Sequence, residues 1–596
     1  MNPSVQSQKR LDPVLLTVIT NRLEGITREM GAGMLRSSRS PIFAENRDFV
    51  TAIFDKELRM VGQTAYIPVL LGASPYAVKA IAERFAENVQ DGDVMILNDP
   101  FRGNNHLPDI TVVKPVFFEG RLIFWVLARG HHADIGGGGS AGYNPLARTV
   151  WEEGLRIPPA RLYESGEYNR DLWNMILLNT RLPVLVEGDL HCQVGACKIG
   201  ERALKDLLGR YGPESIETVT GQMLDSTEAQ MRAALAKIPD GTYHAERKLD
   251  EPVNADERPA IRLALSVIKD KIIVDFTGTD PQIPAYYNSS YPNTVSSCYV
   301  GLFSALGSEI KLNEGSTRPI EVLAPEGSLV NPKEGAPTTQ CTVTTCGLIV
   351  ECVWLALNQA VVGSAQAGWA RVNIGIGSGV NPRTNRPVAF LYHFTKGGGG
   401  ATEGFDGWSH ISPVSSMGGS RVPDPELHEL STPNLILAYE YRNNSAGAGK
   451  WRGGYGSVFR VRFEGGGTLL SCQLGNIVSE TAPFGLLGGK DGALGRITVK
   501  KAGAEVINLQ QSTLLSPAKG DILECYSSGG GGYGDPFERP VELVFDDVVD
   551  ELLSVEKARE DYGVVIDPQT FTVDRRATEA LREAHRSAHG HMPENS

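Results

Sequence analysis

Residues 94–134 read VMILNDPFRGNNHLPDITVVKPVFFEGRLIFWVLARGHHAD, and the alternation of strand-like and turn-like runs within them decides the fold. Three β-rich runs, Val94 to Leu97, Ile110 to Phe117 and Leu122 to Ala128, are separated by turn residues. The chemistry-bearing residues collect at the strand ends: Asn98 to Asp109 directly follows one run, and Arg129-Gly130-His131-His132-Ala133-Asp134 directly follows another. Proline inside His106-Leu107-Pro108-Asp109 excludes a regular helix, so a turn must bring imidazole and carboxylate together, and a turn can point both into one cavity. His131, from the neighbouring strand end, adds a second imidazole.

Outward from this stretch the chain alternates helix and strand. Asp12 is placed to cap a helix with Pro13 at its first position, and apolar residues recur with helical spacing from Val14 to Met34. Phe49 to Phe54 and Leu58 to Val61 form a predicted hairpin, and Tyr76 to Phe85 a second helix. Ala203 to Tyr211 and Ile216 to Ile238 carry helical periodicity and end at Pro239-Asp240-Gly241, which reads as a helical hairpin. Short strands are expected over 241–285, helices over 293–307 and 340–367, and many short strands between glycine clusters over 370–535. Helix returns at Val541 to Tyr562 and Thr578 to His585, followed by a frayed tail. The expected class is α+β, multi-lobed, with mixed sheets, helical hairpin segments and a β-rich, glycine-rich C-terminal half. Its expected divisions are an N-terminal α+β lobe with the site (1–200), a helical and β middle lobe (201–370), a β-rich lobe (371–540) and a C-terminal helical segment (541–596).

Composition sets bounds on function. The 596 residues, 41% hydrophobic and 21% charged, suffice for several cores. A balance of 57 basic against 70 acidic residues, without a basic block, argues against nucleic acid as a partner. The opening MNPSVQSQKRLDP has no apolar export signal, and the richest apolar run, Cys346 to Val362, is interrupted by Glu351 and Asn358, so neither export nor membrane spanning is expected. Eight cysteines are too sparse for a disulfide scaffold and read as reduced, mostly buried thiols of a cytoplasmic protein. Sixty-six glycines include clumps at 136–139, 397–400 and 529–532, where backbone approaches a ligand, a partner or itself, or where the chain makes wide turns.

Two imidazoles and one carboxylate leave coordination positions open and suit iron, manganese or zinc; the same residues also serve as satisfied polar groups of a core. His132, Asp134 and Asp99 are candidates to orient the imidazoles from behind, with turn capping the plainer role for the acids. Asp48, in Glu45-Asn46-Arg47-Asp48-Phe49, offers a further ligand or a base, or else the partner of Arg47 on a solvated turn. Glu152-Glu153 reads as a pair of carboxylates at a helix end. Other motifs fail. Lys450 is followed by Trp451 where a phosphate-binding loop needs a hydroxyl residue, Asn381-Pro382 breaks the helix a dinucleotide site would require, and neither G-x-S-x-G nor H-E-x-x-H occurs.

An ordered series of segments resembles the hydantoinase B/oxoprolinase family over essentially the whole chain: DPVLLTVITNRLEGITREMGAGMLRSS (12–38), ENRDF (45–49), NDPFRGNNHLPDITVVKPVF (98–117), GHHADIGG (130–137), WEEGLRIPP (151–159), EGDLHCQVGACKIG (187–200), LAPEGSLVNP (323–332), GGGGATEGFDG (397–407), YRNNSAGAGKWRGGYG (441–456) and SSGGGGYGDPFERP (527–540). The resemblance implies a metal-carrying subunit of ATP-dependent hydantoinases, oxoprolinases and lactamases, or of acetone and acetophenone carboxylases, working with a hydantoinase A-type ATP-binding partner in a hetero-oligomer such as α2β2. It implies His106, Asp109 and His131 as ligands of one divalent transition metal (zinc, manganese or iron), with Asp48 as a fourth ligand or close neighbour. The partner, using ATP and Mg, would phosphorylate the carbonyl of a hydantoin, N-methylhydantoin, 5-oxoproline or lactam, and metal-bound hydroxide would open the ring. Asp48, Asp134 or Glu152 would accept the proton, a choice the sequence leaves open. Where relatives commonly read E-R-x-D-F, this chain has its arginine one position later, and Glu45 is given no role. The chain is shorter than the carboxylase subunits, which favours the hydrolase; a ketone carboxylase is the alternative, and a non-catalytic scaffold subunit is the third reading.

Overall fold

The computed structural model describes residues 13–589 except 87, 252–257, 308 and 504. Asp12, the expected helix cap, and most of the tail lie outside the described residues. The segment 94–134 forms the middle of a seven-stranded antiparallel sheet, of β1 (Phe49–Asp55), β2 (Met60–Ala65), β3 (Val94–Leu97), β4 (Asp109–Phe118), β5 (Arg121–His131), β6 (Ala160–Glu164) and β7 (Glu167–Tyr168), in the order β2-β1-β5-β4-β3-β6-β7. Strands β4 and β5 turn at Glu119-Gly120, both with positive φ (50° and 75°), the two-residue geometry that matches the right-handed twist of a hairpin. A bulge between Val116 and Phe117 shifts the register by one, after which pairing runs from Val116 opposite Phe124 to Asp109 opposite His131. A one-residue slip would turn every side chain to the other face, so bulge and turn together put these two residues side by side.

Both faces of the sheet are buried, which is why its strands read as nearly continuous apolar runs. Phe49, Ile53, Val112, Val126 and Ala128 join one core, while Val50, Ala52, Phe54, Val113, Trp125 and Leu127 join another with Cys346, Val350 and Trp354 of the helix Thr344–Ala360. The first face is covered by the helix Pro183–Tyr211, with the helix Pro13–Ser37 against it. Sequence periodicity placed a helix only from Ala203; the true start is twenty residues earlier. The hidden half carries Gly188, Gly195 and Gly200, which cost helix propensity, and two of them permit close packing: a Cβ on Gly188 would lie 2.2 Å from Arg39 Cγ and one on Gly200 2.6 Å from Met30 Sδ, while on the facing helix one on Gly33 would lie 2.5 Å from Ile199 Cδ1. The helical hairpin is completed by Pro213–Leu235. Beyond it come the helix Tyr291–Leu306 and, among the described residues, four further sheets, of strands within 241–323, 374–515, 434–526 and 566–573. The chain is thus an assembly of mixed helices and several sheets. The expected helix at 541–562 is two, Val541–Val549 and Val555–Tyr562, and all eight cysteines are free and buried.

The glycine clumps at 397–400 and 529–532 approach backbone, not an external ligand. Gly454 donates to Gly399 O (2.9 Å), Gly530 to Gly454 O (2.9 Å) and Gly447 to Gly530 O (2.8 Å). A Cβ on Gly530 would stand 1.9 Å from Gly399 O, and one on Gly398 1.9 Å from Gly454 O. The chains therefore lie side by side with no room for side chains. Gly530→Ala is expected to destabilise the protein by about 3 kcal/mol or to prevent folding, read as the midpoint of denaturant unfolding, whereas Gly466→Ala, with nothing within 4 Å, should leave the midpoint unchanged.

Candidate metal centre

The loop between β3 and β4 is held by amides. Asn104 Nδ2 donates to the carbonyls of Asn98 (3.0 Å), His106 (2.9 Å) and Asp109 (2.6 Å), and Asn98 Nδ2 donates to Leu107 O (2.8 Å) and Leu155 O (2.9 Å). Buried Arg129 donates through Nε to Thr111 Oγ1 (2.7 Å) and through a terminal nitrogen to Asn105 Oδ1 (2.6 Å) and Leu70 O (2.8 Å). The asparagines of NDPFRGNNHLPD thus give the irregular backbone the partners a helix would have supplied.

This frame brings His106 Nε2 to 3.0 Å from Asp109 Oδ1, and His131 Nδ1 to 3.5 Å from the same oxygen. The two imidazole centroids are 5.2 Å apart, and Tyr143 stacks on His131 at 5.4 Å. One donor atom from each of His106, Asp109 and His131 lies within 4.8 Å of the others, a spacing that one ion could bridge. Asp48 joins the same cavity from the residue before β1; its carbonyl accepts from the His131 amide at 3.0 Å.

Whether these residues suit a cation is decided by their hydrogen bonds. His106 Nδ1 lies 2.6 Å from Thr339 O, which can only accept, so Nδ1 carries the proton and Nε2 turns a lone pair toward the Asp109 carboxylate. Two acceptors at 3.0 Å need a positive charge between them, a proton or a metal. Both Asp109 oxygens and His131 Nε2 are buried without a hydrogen-bond partner, a cost that coordination would remove. The donor set fits a divalent ion of the zinc, manganese or iron kind. Burial alone would raise the Asp109 carboxyl, but the two imidazoles override it and hold it well below the usual carboxylate range. At His106 burial lowers the pKa and Asp109 outweighs it, a net rise. Burial pushes the Asp48 carboxyl up to about 6, with Asp109 adding to the rise and the imidazoles opposing it.

The other predicted site residues stand apart. Asp134 is bound by Arg181, which donates to it from its backbone amide and its guanidinium, and by Thr180 Oγ1 (2.9 Å). Glu152 is exposed and caps its own turn, accepting from Arg148 N (2.9 Å) and Thr149 Oγ1 (3.0 Å). Neither lines the cavity. His132 faces the opposite side of β5 and meets Gln193 Oε1 at 2.9 Å, and Asp99 pairs with Arg156 at 2.8 Å, so neither supports an imidazole. The acid that does is Glu153, one residue from Glu152: it is buried and accepts from Thr338 N (2.9 Å) and Thr339 N (2.7 Å), holding the backbone of the residue whose own carbonyl orients His106. Burial raises the Glu153 carboxyl to about 7 against those amide bonds. Nothing in the local pattern tells which of two adjacent glutamates turns inward.

The cavity, of about 70 Å³, is apolar along Ile67, Val69, Leu70, Ile374, Ile376 and Leu391. The same cavity is lined by His393, Lys396 and Ser420, none of which the sequence singled out.

The sheet, covered on both faces, ends in two imidazoles and two carboxylates that line an apolar cavity, and this is a candidate metal centre. The chain belongs to the hydantoinase B/oxoprolinase family, whose model matches residues 12–536. It is 36% identical to caprolactamase subunit beta from Pseudomonas jessenii over 97% of this chain and 100% of that one. A chain of the crystal structure of ATP-dependent caprolactamase from Pseudomonas jessenii superposes with a TM-score of 0.91, at 35% identity over 96% of this chain and 100% of that one. 5-oxoprolinase 1 from Arabidopsis thaliana is 29% identical over 88% of this chain and 42% of its own length. A nucleotide-free acetone carboxylase structure matches in fold, with a TM-score of 0.88 at 20% identity over 97% of this chain and 83% of that chain. Among the described residues no helix is long and apolar enough to cross a membrane.

Proposed function

We propose that this chain is the non-ATP-binding subunit of an ATP-dependent cyclic amide hydrolase, opening a lactam, hydantoin or 5-oxoproline ring. The observation that carries the reading is the His106, Asp109 and His131 set, with Asp48 beside it, lining an apolar cavity in a chain alike end to end to a caprolactamase subunit. His106, Asp109 and His131 hold a divalent transition metal, with Asp48 as fourth ligand or close neighbour. Such an ion, when bound, supplies Lewis acidity and lowers the pKa of water toward ~7. Thr339 and Glu153 keep His106 in one tautomer, and Tyr143 keeps the His131 ring from turning. Asp48 is the acid within the cavity placed to accept the proton of the attacking water; Asp134 and Glu152 are committed elsewhere. The apolar wall takes the methylenes of the ring and excludes water.

An unstrained amide resists hydroxide, so its carbonyl carbon must first be made more electrophilic, and phosphorylation of the carbonyl oxygen by a hydantoinase A-type partner using ATP and Mg accomplishes this; after water adds, the C–N bond breaks with the ring nitrogen taking a proton, and hydrolysis of the acyl phosphate that remains gives the carboxylate and phosphate. The 5-oxoprolinase relative is more than twice as long as the part this chain matches, which leaves room there for an ATP-using portion that here is a separate subunit in a hetero-oligomer such as α2β2. Free buried thiols suit a cytoplasmic setting. The test is phosphate release and ring opening by the purified complex against hydantoins, 5-oxoproline, lactams and ketones, with and without bicarbonate. Ring opening independent of bicarbonate, lost on chelation and restored by zinc, manganese or iron, is expected. Turnover of ketones that requires bicarbonate would instead make the chain a carboxylase subunit, and full activity after metal removal would refute the metal centre.

A further inference from the structure

The cavity that the ligand set lines also holds a buried cation without a counter-ion. Lys396 is 6% exposed, and its Nζ donates to Ser420 O. Burial alone lowers its ammonium to about 8, with no carboxylate contributing. Beside it, His393 Nδ1 meets Ser420 Oγ at 3.1 Å, while its Nε2 is buried with no partner. Burial, then the charges of Lys396, His131 and His410, push this imidazole down to about 3, so it is neutral and lies in the field of both the lysine and the ligand set.

The platform beneath is rigid. Ser457 Oγ donates to Phe394 O (3.0 Å) and Lys396 O (2.9 Å), Ser527 Oγ to Thr395 O (2.5 Å), and Gly397 N to Ser412 Oγ (2.7 Å). The clump Gly397 to Gly400 then locks into the glycine layer. An unpaired buried ammonium destabilises a fold, and one held this firmly toward a cavity is preorganised for an anion that arrives from outside.

We propose that Lys396, with the free nitrogen of His393, binds an anionic oxygen group of the substrate within the cavity that His106, Asp109 and His131 also line. This deepens the hydrolase reading and rests on it. The anion is either a carboxylate carried by the ring or the phosphoryl placed on its carbonyl by the partner; both present oxygen to a charged donor. Neither acid of the cavity, Asp48 or Asp109, contributes to the ammonium of Lys396, which leaves the lysine free for it.

Calorimetric titration of the purified complex with inorganic phosphate and with 5-oxoproline, as wild type, Lys396→Met and Lys396→Arg, tests the proposal. At least one probe should bind wild type and lose about tenfold or more in Lys396→Met, with Lys396→Arg recovering much of the loss and metal content equal in all three. Loss for phosphate alone assigns a phosphoryl site, and loss for 5-oxoproline alone assigns a site for the substrate carboxylate. Lys396→Met removes an unpaired charge and should melt no lower than wild type, so a binding loss does not reduce to unfolding. Equal affinity in Lys396→Met, or no binding of either probe by wild type, overturns the proposal. The titration needs no turnover. A complex that opens no cyclic amide yet shows the loss sinks the hydrolase reading alone, and an active complex without the loss sinks only the anion site.

Discussion

Alanine in place of His131 is expected to lower ring opening by about a thousandfold or more, while ATP consumption by the complex partly persists. The loss follows from removing one of three donors around a single ion, where Lewis-acid stabilisation amounts to several kcal/mol and each 1.36 kcal/mol is a factor of ten. It also follows from the register: His131 is directly opposite Asp109, and no other imidazole holds that place. Elemental analysis should show the variant's metal content fall together with its activity. Glu152→Gln is the control. Its side chain is exposed and caps a turn, so turnover should stay within about twofold of wild type. Normal turnover by a metal-loaded His131→Ala complex would reject the ligand assignment.

A large effect on stability, and one that depends on pH, is expected at Arg371. Its guanidinium lies 2.7 Å from Asp250 Oδ2 and 2.9 Å from Glu351 Oε2, all three side chains buried, and Glu351 is shared with Arg247 at 2.7 Å. The network joins the helix Thr344–Ala360 to the strand Gly241–Lys248 and to the entry of the β-rich segment. Arg371→Met leaves Asp250 without its ion pair and Glu351 with half of its own, a loss of about 3–5 kcal/mol. Burial would raise the Glu351 carboxyl, yet the two guanidiniums hold it below its ordinary value. A depressed carboxyl contributes stability that is present above the unfolded pKa and lost as pH falls through the folded one. Without Arg371 the folded pKa rises, and the penalty of a charged buried acid is relieved by protonation. The deficit against wild type, measured as apparent melting temperature, should therefore be widest at pH 7 to 8 and narrow toward pH 4 to 5. A deficit that widens on acidification would contradict the buried pairing.

Much of the near half of the site is legible before folding. The strand limits around 94–131 are accurate to a few residues because β-branched runs, proline and glycine act locally, and the His106-Leu-Pro-Asp109 turn announces its own irregularity. The acids were harder. Asp134 and Glu152 are placed in sequence as plausibly as Asp48, and only the positions of Arg181, Arg148 and Thr149 divert them. Glu153, adjacent to Glu152, is the one that turns inward, because the two lie on opposite sides of a short turn. The helix from Pro183 was hidden by glycines that weaken periodicity yet are required by the close approach of Met30 and Arg39.

By itself the sequence determined the strands around 94–131, the placing of His106, Asp109 and His131 at neighbouring strand ends, the family, and the kind of ion those donors suit. These depend on interactions between residues near in the chain, whose geometry is nearly the same in any protein. The tertiary structure alone decided which carboxylates remain free, that the glycine clumps meet one another, and that His393 and Lys396 close the cavity from about 260 residues further on. Those outcomes depend on burial and on partners far away in sequence, and burial is a property of the closed assembly that no local pattern contains.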